Sequence, residues 1–452
     1  MMDLLSPQAQ SALAVAKKIK SGGYQVCFAG GCVRDFLMKR TPQDFDLATS
    51  ARPEQVEALF QKTVPVGKQF GVILVVENGV EVEVTTFRKE GSYQDGRHPS
   101  SVCFTDDRED ASRRDFTVNG LFMDPLTGEV LDYVGGRADI DRKVLRAIGD
   151  PLERFSQDKL RLLRAVRFSA NLNFAVEEKT WVAVKQLAPV ISQVSPERIR
   201  DELIKIFTRP GAARGLDLLS ESGLLREILP EIEAMKGVEQ QPDYHPEGDV
   251  FVHTRLLLEK LEKPSVTLAF AALFHDVAKP VTFQRRPEDG RITFYEHAPL
   301  GAEMTRQIMK RLRFSNQEIE DVAVCVANHM KFGDSAKMRS GKLKQFIAHP
   351  QFEEGLRLHR IDCLSSHGQL NNYDFLQKSI REFSAEELKP KPFVNGDDLI
   401  ALRIGPGPIM KPLLEEIYLA QLEGRFKDKE QALTWVTQDW LPRQKKPDRP
   451  SK

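Results

Sequence analysis

The chain has few cysteines: five in 452 residues, at positions 27, 32, 103, 325 and 363. None stand at the C-x-x-C spacing of a structural zinc site, and an odd, scattered set of thiols is not a disulfide framework, so they are read as reduced. A continuous apolar run of about 18 residues is missing, so no membrane span is expected. The opening Met-Met-Asp-Leu-Leu-Ser-Pro carries no basic flank and no cleavage site of a secretory signal. A cytoplasmic location is therefore expected. An excess of one charge is missing too, because 65 Lys and Arg face 65 Asp and Glu. Indiscriminate coating of nucleic acid normally needs a basic surplus, so balance argues against that class while leaving specific RNA contact open.

What is present begins with a globular composition, 41% hydrophobic, in a chain too long for one compact core. Residues from about 10 to 140 alternate helical and strand signals, with strands expected near Gln25–Ala29, Phe45–Ala48, Gly71–Glu77 and Glu81–Phe87. From about Asp150 the strand signal ends, and apolar residues recur at helical spacing, as in Asp158-Lys-Leu-Arg-Leu-Leu-Arg-Ala-Val-Arg-Phe. Proline and glycine punctuate that half at Arg209-Pro-Gly, Gln241-Pro-Asp-Tyr-His-Pro-Glu-Gly and Ile404-Gly-Pro-Gly-Pro. Basic residues gather locally at Arg161, Arg164 and Arg167 and in the tail Arg443-Gln-Lys445-Lys446-Pro-Asp-Arg449, which reads as a solvated end.

The first chemical signal is Asp44 and Asp46 in Thr-Pro-Gln-Asp-Phe-Asp, shortly after the glycine turn Ala29-Gly30-Gly31-Cys32-Val33-Arg34-Asp35. On a strand, acids at i and i+2 project from one side, about 7 Å apart along the chain. Hard oxygen ligands beside a glycine turn suit Mg²⁺ holding a triphosphate. The competing reading is a tight turn followed by a solvated strand end. A third acid tips the balance, supplied by the strand Glu81-Val-Glu83-Val-Thr-Thr-Phe87, in which Glu81 and Glu83 share a face and pattern does not separate them.

These stretches resemble the DNA polymerase β superfamily and, within it, the class II tRNA nucleotidyltransferase and poly(A) polymerase family. The family's G-G-x-V-R-D looks like Gly30 to Asp35, its D-x-D like Asp44 and Asp46, its third carboxylate like Glu83, and its R-R-D-F-T-[IV]-N like Arg113 to Asn119. The resemblance implies an α+β fold: a polymerase-β-like head with a small mixed β-sheet, then an extended all-helical neck, an HD domain and a tail. The corresponding divisions are 1–145, 146–240, 241–370 and 371–452. It further implies that Asp44 and Asp46 hold Mg²⁺, that Glu83 completes the catalytic triad, and that Gly30, Gly31, Arg34, Arg113, Arg114, Asp115, Asn119 and Arg164 bind the nucleotide.

The family's Glu-Asp-x-x-Arg, which reads the incoming base, is similar to Gln157-Asp158-x-x-Arg161, with glutamine in the glutamate's place. On one helix Asp158 and Arg161 would be neighbours, and an ordinary ion pair between them is the bland alternative. A carboxylate accepts from the exocyclic amine of cytosine or adenine, and a guanidinium donates to the ring nitrogen beside it. Uracil and guanine present an oxygen instead, leaving a buried acceptor unpaired. Ser195-Pro-Glu-Arg198 resembles a later helical motif in which Ser195 and Pro196 also read as a helix start, with Arg198 steadying the base reader. The Gly-, Asp- and Ser-rich stretch from Glu90 to Ser112 reads as a long surface loop, which the resemblance ties to the switch from C to A addition.

In the second half His253, His275-Asp276 and Asp362 fit the H…HD…D order of HD-type phosphohydrolases, with His297 and His329 as further candidate ligands. The resemblance implies an unidentified divalent metal there and hydrolysis of phosphoesters such as 2′,3′-cyclic phosphates. Val394-Asn-Gly-Asp-Asp398 reads as a capped helix start. The expected activity is template-independent addition of CCA to the tRNA 3′ end from CTP and ATP. The alternatives are a poly(A) or A-adding polymerase on the same scaffold, or an HD phosphohydrolase with a vestigial head.

Overall fold

The computed structural model describes residues 6–42, 44–90, 102–242, 245–246 and 248–444. They form two compact units, one running to Ala234 with Arg311–Phe314, the other comprising Met235–Lys310 and the chain from Ser315.

The first unit opens with helix α1 (Pro7–Ser21), where the Ser6 hydroxyl accepts from the Ala9 amide at 3.2 Å and Pro7 fills the first turn. Ala9, Ala12, Val15, Ala16 and Ile19 recur at helical spacing and are buried, which seats α1 on strands β4 and β5 of the sheet. That sheet contains β1 (Val26–Ala29), β2 (Leu47–Thr49), β3 (Thr63–Gly67), β4 (Val72–Glu77), β5 (Val80–Thr86), β8 (Leu121–Met123) and β9 (Val130–Asp132). Its order is β3-β4-β5-β2-β1-β8-β9, mixed because β2 pairs with β5 in parallel while the other neighbours are antiparallel. The interior strand β1 is buried along its whole length.

The four expected strands are present with ends shifted by one or two residues. β3 escaped sequence reasoning because it is an edge strand, with Pro65 inside it and Val64 and Val66 facing outward. Asp44 and Asp46 were expected on a strand, but they lie on the segment leading into β2, which starts only at Leu47. The expected loop from Glu90 to Ser112 also needs correction. Part of it lies outside the described residues, but β6 (Arg88–Glu90) pairs antiparallel with β7 (Val102–Phe104), and α4 (Asp107–Arg113) follows, N-capped by Asp106. Asp106 accepts from Glu109 N at 2.9 Å, so the acidic residues that suggested a loop serve a helix start.

Helices α2 (Gly31–Leu37), α3 (Pro53–Leu59) and α5 (Gly136–Arg142) complete the head, and α6 (Pro151–Gln157), α7 (Leu160–Leu172), α8 (Glu178–Leu187) and α9 (Pro196–Phe207) follow. A short parallel pairing of Val144–Leu145 with Ala175–Val176 interrupts the expected helical run. Pro196 takes the first turn of α9 as expected, while the Ser195 side chain makes no capping bond and only its carbonyl joins the helix.

In the second unit, helix Val266–Phe274 is apolar but for Thr267 and packs against helices Val250–Glu259, Asn316–Asn328 and Phe352–Ser365. A separate core of Val394, Leu399, Leu413, Ile417, Val436 and Trp440 binds the last helices together. The helix start at Asn395 is as expected, with Asn395 and Asp398 exchanging side-chain bonds to each other's amides at 3.1 and 3.0 Å. The proposed turn at 241–248 falls partly, and the basic tail from Lys445 wholly, outside the described residues.

Candidate active site

The first unit holds a cleft of about 450 Å³. Its floor is the end of β1 and the turn into α2, where Gly30 sits at φ +69° and its amide donates to Leu121 O at 2.9 Å, tying the turn to β8. One wall comes from β5. Its period of two buries Val82, Val84 and Thr86 and turns Glu81, Glu83 and Thr85 away from the core. The parallel register pairs Leu47 with Val84, so one residue earlier Asp46 stands beside Glu83. Both line the cleft, whereas Glu81 and Asp44 line only an adjoining depression that Asp46 and Glu83 also border. The structure therefore separates the two candidate glutamates that pattern left equivalent.

Asp46 is exposed at the cleft surface, yet the protein packed around it partly desolvates it. That, with the negative charges of Glu83 and Asp44, pushes its pKa up to about 6 against the opposing pull of Arg114. Acids crowded enough to hold one another's protons are a donor set that a hard divalent cation fits.

The opposite wall is basic. Asp110, 1% exposed, binds Arg113 Nε and Nη2 at 2.9 and 2.7 Å and Arg114 Nε at 3.1 Å. It also accepts from the Arg88 amide at 3.2 Å. Asp110 was missed by sequence reasoning, although its i, i+3 and i+4 spacing to the two arginines was a usable signal. Asp115 accepts from Arg164 Nε at 2.7 Å and from Asn119 Nδ2 at 3.2 Å, and Asn119 Oδ1 accepts from Arg34 Nη1 at 2.6 Å. Burial alone would raise the Asp115 pKa, but Arg164, with Asn119 and Arg161, overrides it and leaves it at about 2. Phe168, also missed, lies under the guanidiniums of Arg34, Arg164 and Arg167 at 5.4, 5.2 and 4.3 Å.

The pair expected to read the base is placed differently from expectation. Asp158 is not inside a helix but at the break between α6 and α7, in extended conformation. It makes no ion pair with Arg161. Its Oδ1 accepts from Leu160 N at 3.1 Å and its Oδ2 from Arg198 Nη2, on α9, at 2.8 Å. Arg161 is buried and donates to Arg154 O at 2.9 Å, Gln157 Oε1 at 3.2 Å and Arg113 O at 3.4 Å. Gln157 thus fixes the arginine through a neutral amide, and its Oε1 accepts from Arg154 as well, at 3.1 Å. Asp158, Arg161, Arg164 and Arg198 all line the same cleft as Asp46 and Glu83. The basic run Arg161, Arg164 and Arg167 also has internal partners: Arg161 donates to Arg154 O, Arg164 to Asp115, and Arg167 pairs with buried Glu202 at 3.0 Å.

The second unit gathers His253, His275, Asp276, His297, His329 and Asp362 from several helices and helix ends. Apart from Asp362 they are buried. His253 Nε2 lies 3.1 Å from Asp362 Oδ1, and His275 Nε2 lies 3.1 Å from Asp276 Oδ2. Two groups, His253, His275, Asp276 and Asp276, His297, His329, each bring their ligand atoms within 4.8 Å of one another. Burial lowers His297, and lowers His329 to about 3, keeping both imidazoles neutral and able to ligate. This donor set fits a divalent metal.

The sequence matches the model of the poly A polymerase head domain over residues 26–146, that of the probable RNA and SrmB-binding site of polymerase A over 173–236, and that of the HD domain over 245–366. It is 42% identical over 241 residues to the CCA-adding enzyme of Streptococcus gordonii, an alignment spanning 53% of this chain and 60% of that relative's own length. The CCA-adding enzyme of Streptococcus pyogenes is 34% identical over 403 residues, 84% of this chain and 97% of its own. A crystal structure of the Bacillus stearothermophilus CCA-adding enzyme in complex with CTP superposes with a TM-score of 0.74 at 28% identity, covering 98% of this chain and all of that one. No helix among the described residues is long and apolar enough to cross a membrane.

Proposed function

The chain belongs to the family of CCA-adding enzymes, and from that premise we propose that it adds C, C and A to the 3′ end of tRNA, using CTP and ATP and no nucleic-acid template. The observation that carries the reading is that Asp46 and Glu83 line the same cleft as Asp158 and Arg161, so one bound nucleotide can present its phosphates to the acids and its base to the reader. Asp44 and Asp46 would hold magnesium, which when bound supplies neutralisation of triphosphate charge and of the oxygens of attack and departure. The residues of the chain do the rest. Arg113 and Arg114, braced by Asp110, grip phosphate oxygens, and Glu83 stands where it can draw on the proton of the terminal hydroxyl. Asp158 accepts from the exocyclic amine of cytosine or adenine while Arg161 donates to the ring nitrogen, and uracil or guanine leaves an acceptor facing an acceptor.

The head, neck, HD and tail divisions at about 145, 240 and 370 serve this reading as positioning parts. The cytoplasm is its natural place, consistent with five unpaired thiols. In the assay, tRNA transcript lacking CCA is offered each NTP singly and together. Stepwise C, C, A incorporation is expected, and unlimited A addition without CTP would overturn the reading in favour of a poly(A) polymerase.

A second activity is favoured by the histidine and aspartate cluster: hydrolysis of phosphoesters such as 2′,3′-cyclic phosphates in the HD half. Asp44→Ala is expected to abolish nucleotide addition while leaving that hydrolysis intact. If Asp44→Ala leaves nucleotide addition intact, the head assignment is wrong.

A further inference from the structure

We propose that Arg154 is a positioning residue for nucleotide selection: its guanidinium ties Gln157 and Arg161 to the end of α4, so that the groups facing the base and those facing the triphosphate are held as one unit. The proposal rests on the reading of Asp158 and Arg161 as the pair that selects the base, and adds to it the residue that aims the arginine.

The need for such a tie comes from the break at Asp158. Helix α6 ends at Gln157 and α7 starts at Leu160, so the helical ladder that would fix Arg161 relative to the residues before it is interrupted. Side chains bridge the gap instead. Gln157 Oε1 accepts from Arg154 Nη1 at 3.1 Å and from Arg161 Nη1 at 3.2 Å. An amide oxygen has two lone pairs, so each guanidinium occupies one of them. Arg161 Nη1 also donates to Arg154 O at 2.9 Å, which closes a ring of contacts across the break.

The other donors of Arg154 reach the end of α4. Nη2 donates to Ser112 O at 2.8 Å and Nη1 to Arg113 O at 3.4 Å, the same carbonyl that accepts from Arg161 Nη2 at 3.4 Å. Carbonyls in the last turn of a helix lack intrahelical donors, and a guanidinium supplies them. Helix α4 ends at Arg113 and Arg114 follows as its cap, so the backbone that Arg154 holds is the one from which both arginines of the basic wall project. A further bond, from Nε to Ile148 O at 3.1 Å, fixes the root of the fork to the segment just before α6.

Among the described residues that line the cleft are Arg113, Arg114 and Arg161 but not Arg154. Its effect on a bound nucleotide is therefore exerted through these neighbours. Reaching three carbonyls and an amide takes a planar fork, and lysine, a single point charge, does not replace it.

The test uses the full chain and tRNA transcript lacking CCA. The kcat/KM for CTP and for UTP is measured in the wild type, Arg154→Met, Arg161→Met and the double variant. Arg154→Met, which keeps an apolar stem, is expected to lower the preference for CTP over UTP about tenfold, roughly the loss of one hydrogen bond to a charged group. In the Arg161→Met background it is expected to lower the preference no further, because the group it aims is gone. A fall in kcat/KM that is equal for both nucleotides marks a merely structural role and overturns the proposal, as does a second, additive loss of preference in the double variant. If Arg161→Met alone leaves the preference intact, the base-selecting pair is misassigned and the proposal falls with it. Arg154→Lys covers the case in which the methionine variant does not fold. Keeping the charge without the fork, it is expected to lower the preference about threefold, and full preference in a folded lysine variant overturns the proposal.

Discussion

Gly30 and Gly31 look interchangeable in sequence, and the structure predicts that alanine separates them sharply. Gly30 has φ +69° and ψ −120°, a region that glycine alone occupies comfortably, so a side chain there costs about 1–3 kcal/mol of backbone strain. Its Cβ would also lie 2.9 Å from Arg114 Nη1, too close to persist. Arg114 must then swing away, loosening its 3.1 Å bond to buried Asp110, a charge-assisted contact worth roughly 1 kcal/mol after allowance for solvent at the arginine. Gly31 is the first residue of α2, and its Cβ would meet only Arg34 Nη2, at 3.7 Å, an ordinary contact. Alanine there removes backbone freedom from the unfolded chain and gains about 0.5–1 kcal/mol.

The two variants should therefore differ by about 3 kcal/mol in the stability of the β1–α2 region, since the Gly30→Ala penalty and the Gly31→Ala gain act in opposite directions. At 1.4 kcal/mol per tenfold, native-state hydrogen exchange of the Phe28 and Ala29 amides should quicken roughly a hundredfold in Gly30→Ala relative to Gly31→Ala. Gly30→Ala should also lose at least about tenfold in kcat/KM for CTP, because Arg114 is displaced from the cleft wall. Equal exchange in the two variants would refute the assignment of strain to Gly30.

Arg198→Ala should leave Asp158 without its ion-pair partner and let it wander. About a tenfold rise in KM for CTP and ATP is expected, with increased UTP incorporation, and an unchanged selectivity would show that Arg198 does not steady the base reader. Gln157→Glu turns two arginine-to-amide hydrogen bonds into ion pairs, so discrimination of CTP against UTP should rise by up to about tenfold; no change would mean that Arg161 is already fixed by the carbonyls of Arg154 and Arg113. Asp115 has a folded pKa of about 2 against an ordinary 3.8. Between those values the unfolded chain binds more protons, so the stability it contributes, about 2 kcal/mol, is complete above pH 4 and lost as pH falls toward 2. Denaturant titrations at pH 4.5 and 2.5 should show a smaller acid loss in Asp115→Asn, and an equal loss would refute the pairing with Arg164.

The parts legible in sequence were those whose chemistry is local. The alternation in Val80–Thr86 revealed both a strand and its acidic face, and the Gly-Gly turn and Asp46, close in sequence, line one cleft in the structure. Choosing Glu83 over Glu81 required the β2–β5 register, which is set by a parallel pairing across some 35 residues of chain and leaves no local trace. The same limit explains Asp158. Spacing to Arg161 predicted a helical pair, but the helix breaks at Asp158 itself, and its partner Arg198 lies 40 residues downstream. Edge strand β3 and helix α4 were lost for a different reason, because their polar and proline-bearing sequences mimic loops.

The zero net charge of the chain conceals the charge distribution that matters. Seven arginines line the cleft, at 34, 88, 113, 114, 161, 164 and 198, against the four acids Asp46, Glu83, Asp115 and Asp158. Two of those acids are cancelled in place, Asp115 by Arg164 and Asp158 by Arg198. Asp46 and Glu83 have no ion-pair partner among the described residues, and they stand side by side while Arg113 and Arg114 occupy the other wall. The cleft is thus polarised, with an acid end that attracts a cation and a basic end that attracts phosphate, and a ligand carrying both a divalent cation and phosphate groups satisfies both at once. Scattering the same eleven charges evenly would give the same total and no such site. A charge count over the chain therefore argues against nonspecific coating of nucleic acid but carries no information on nucleotide binding, which depends on how far the opposite charges have been kept apart.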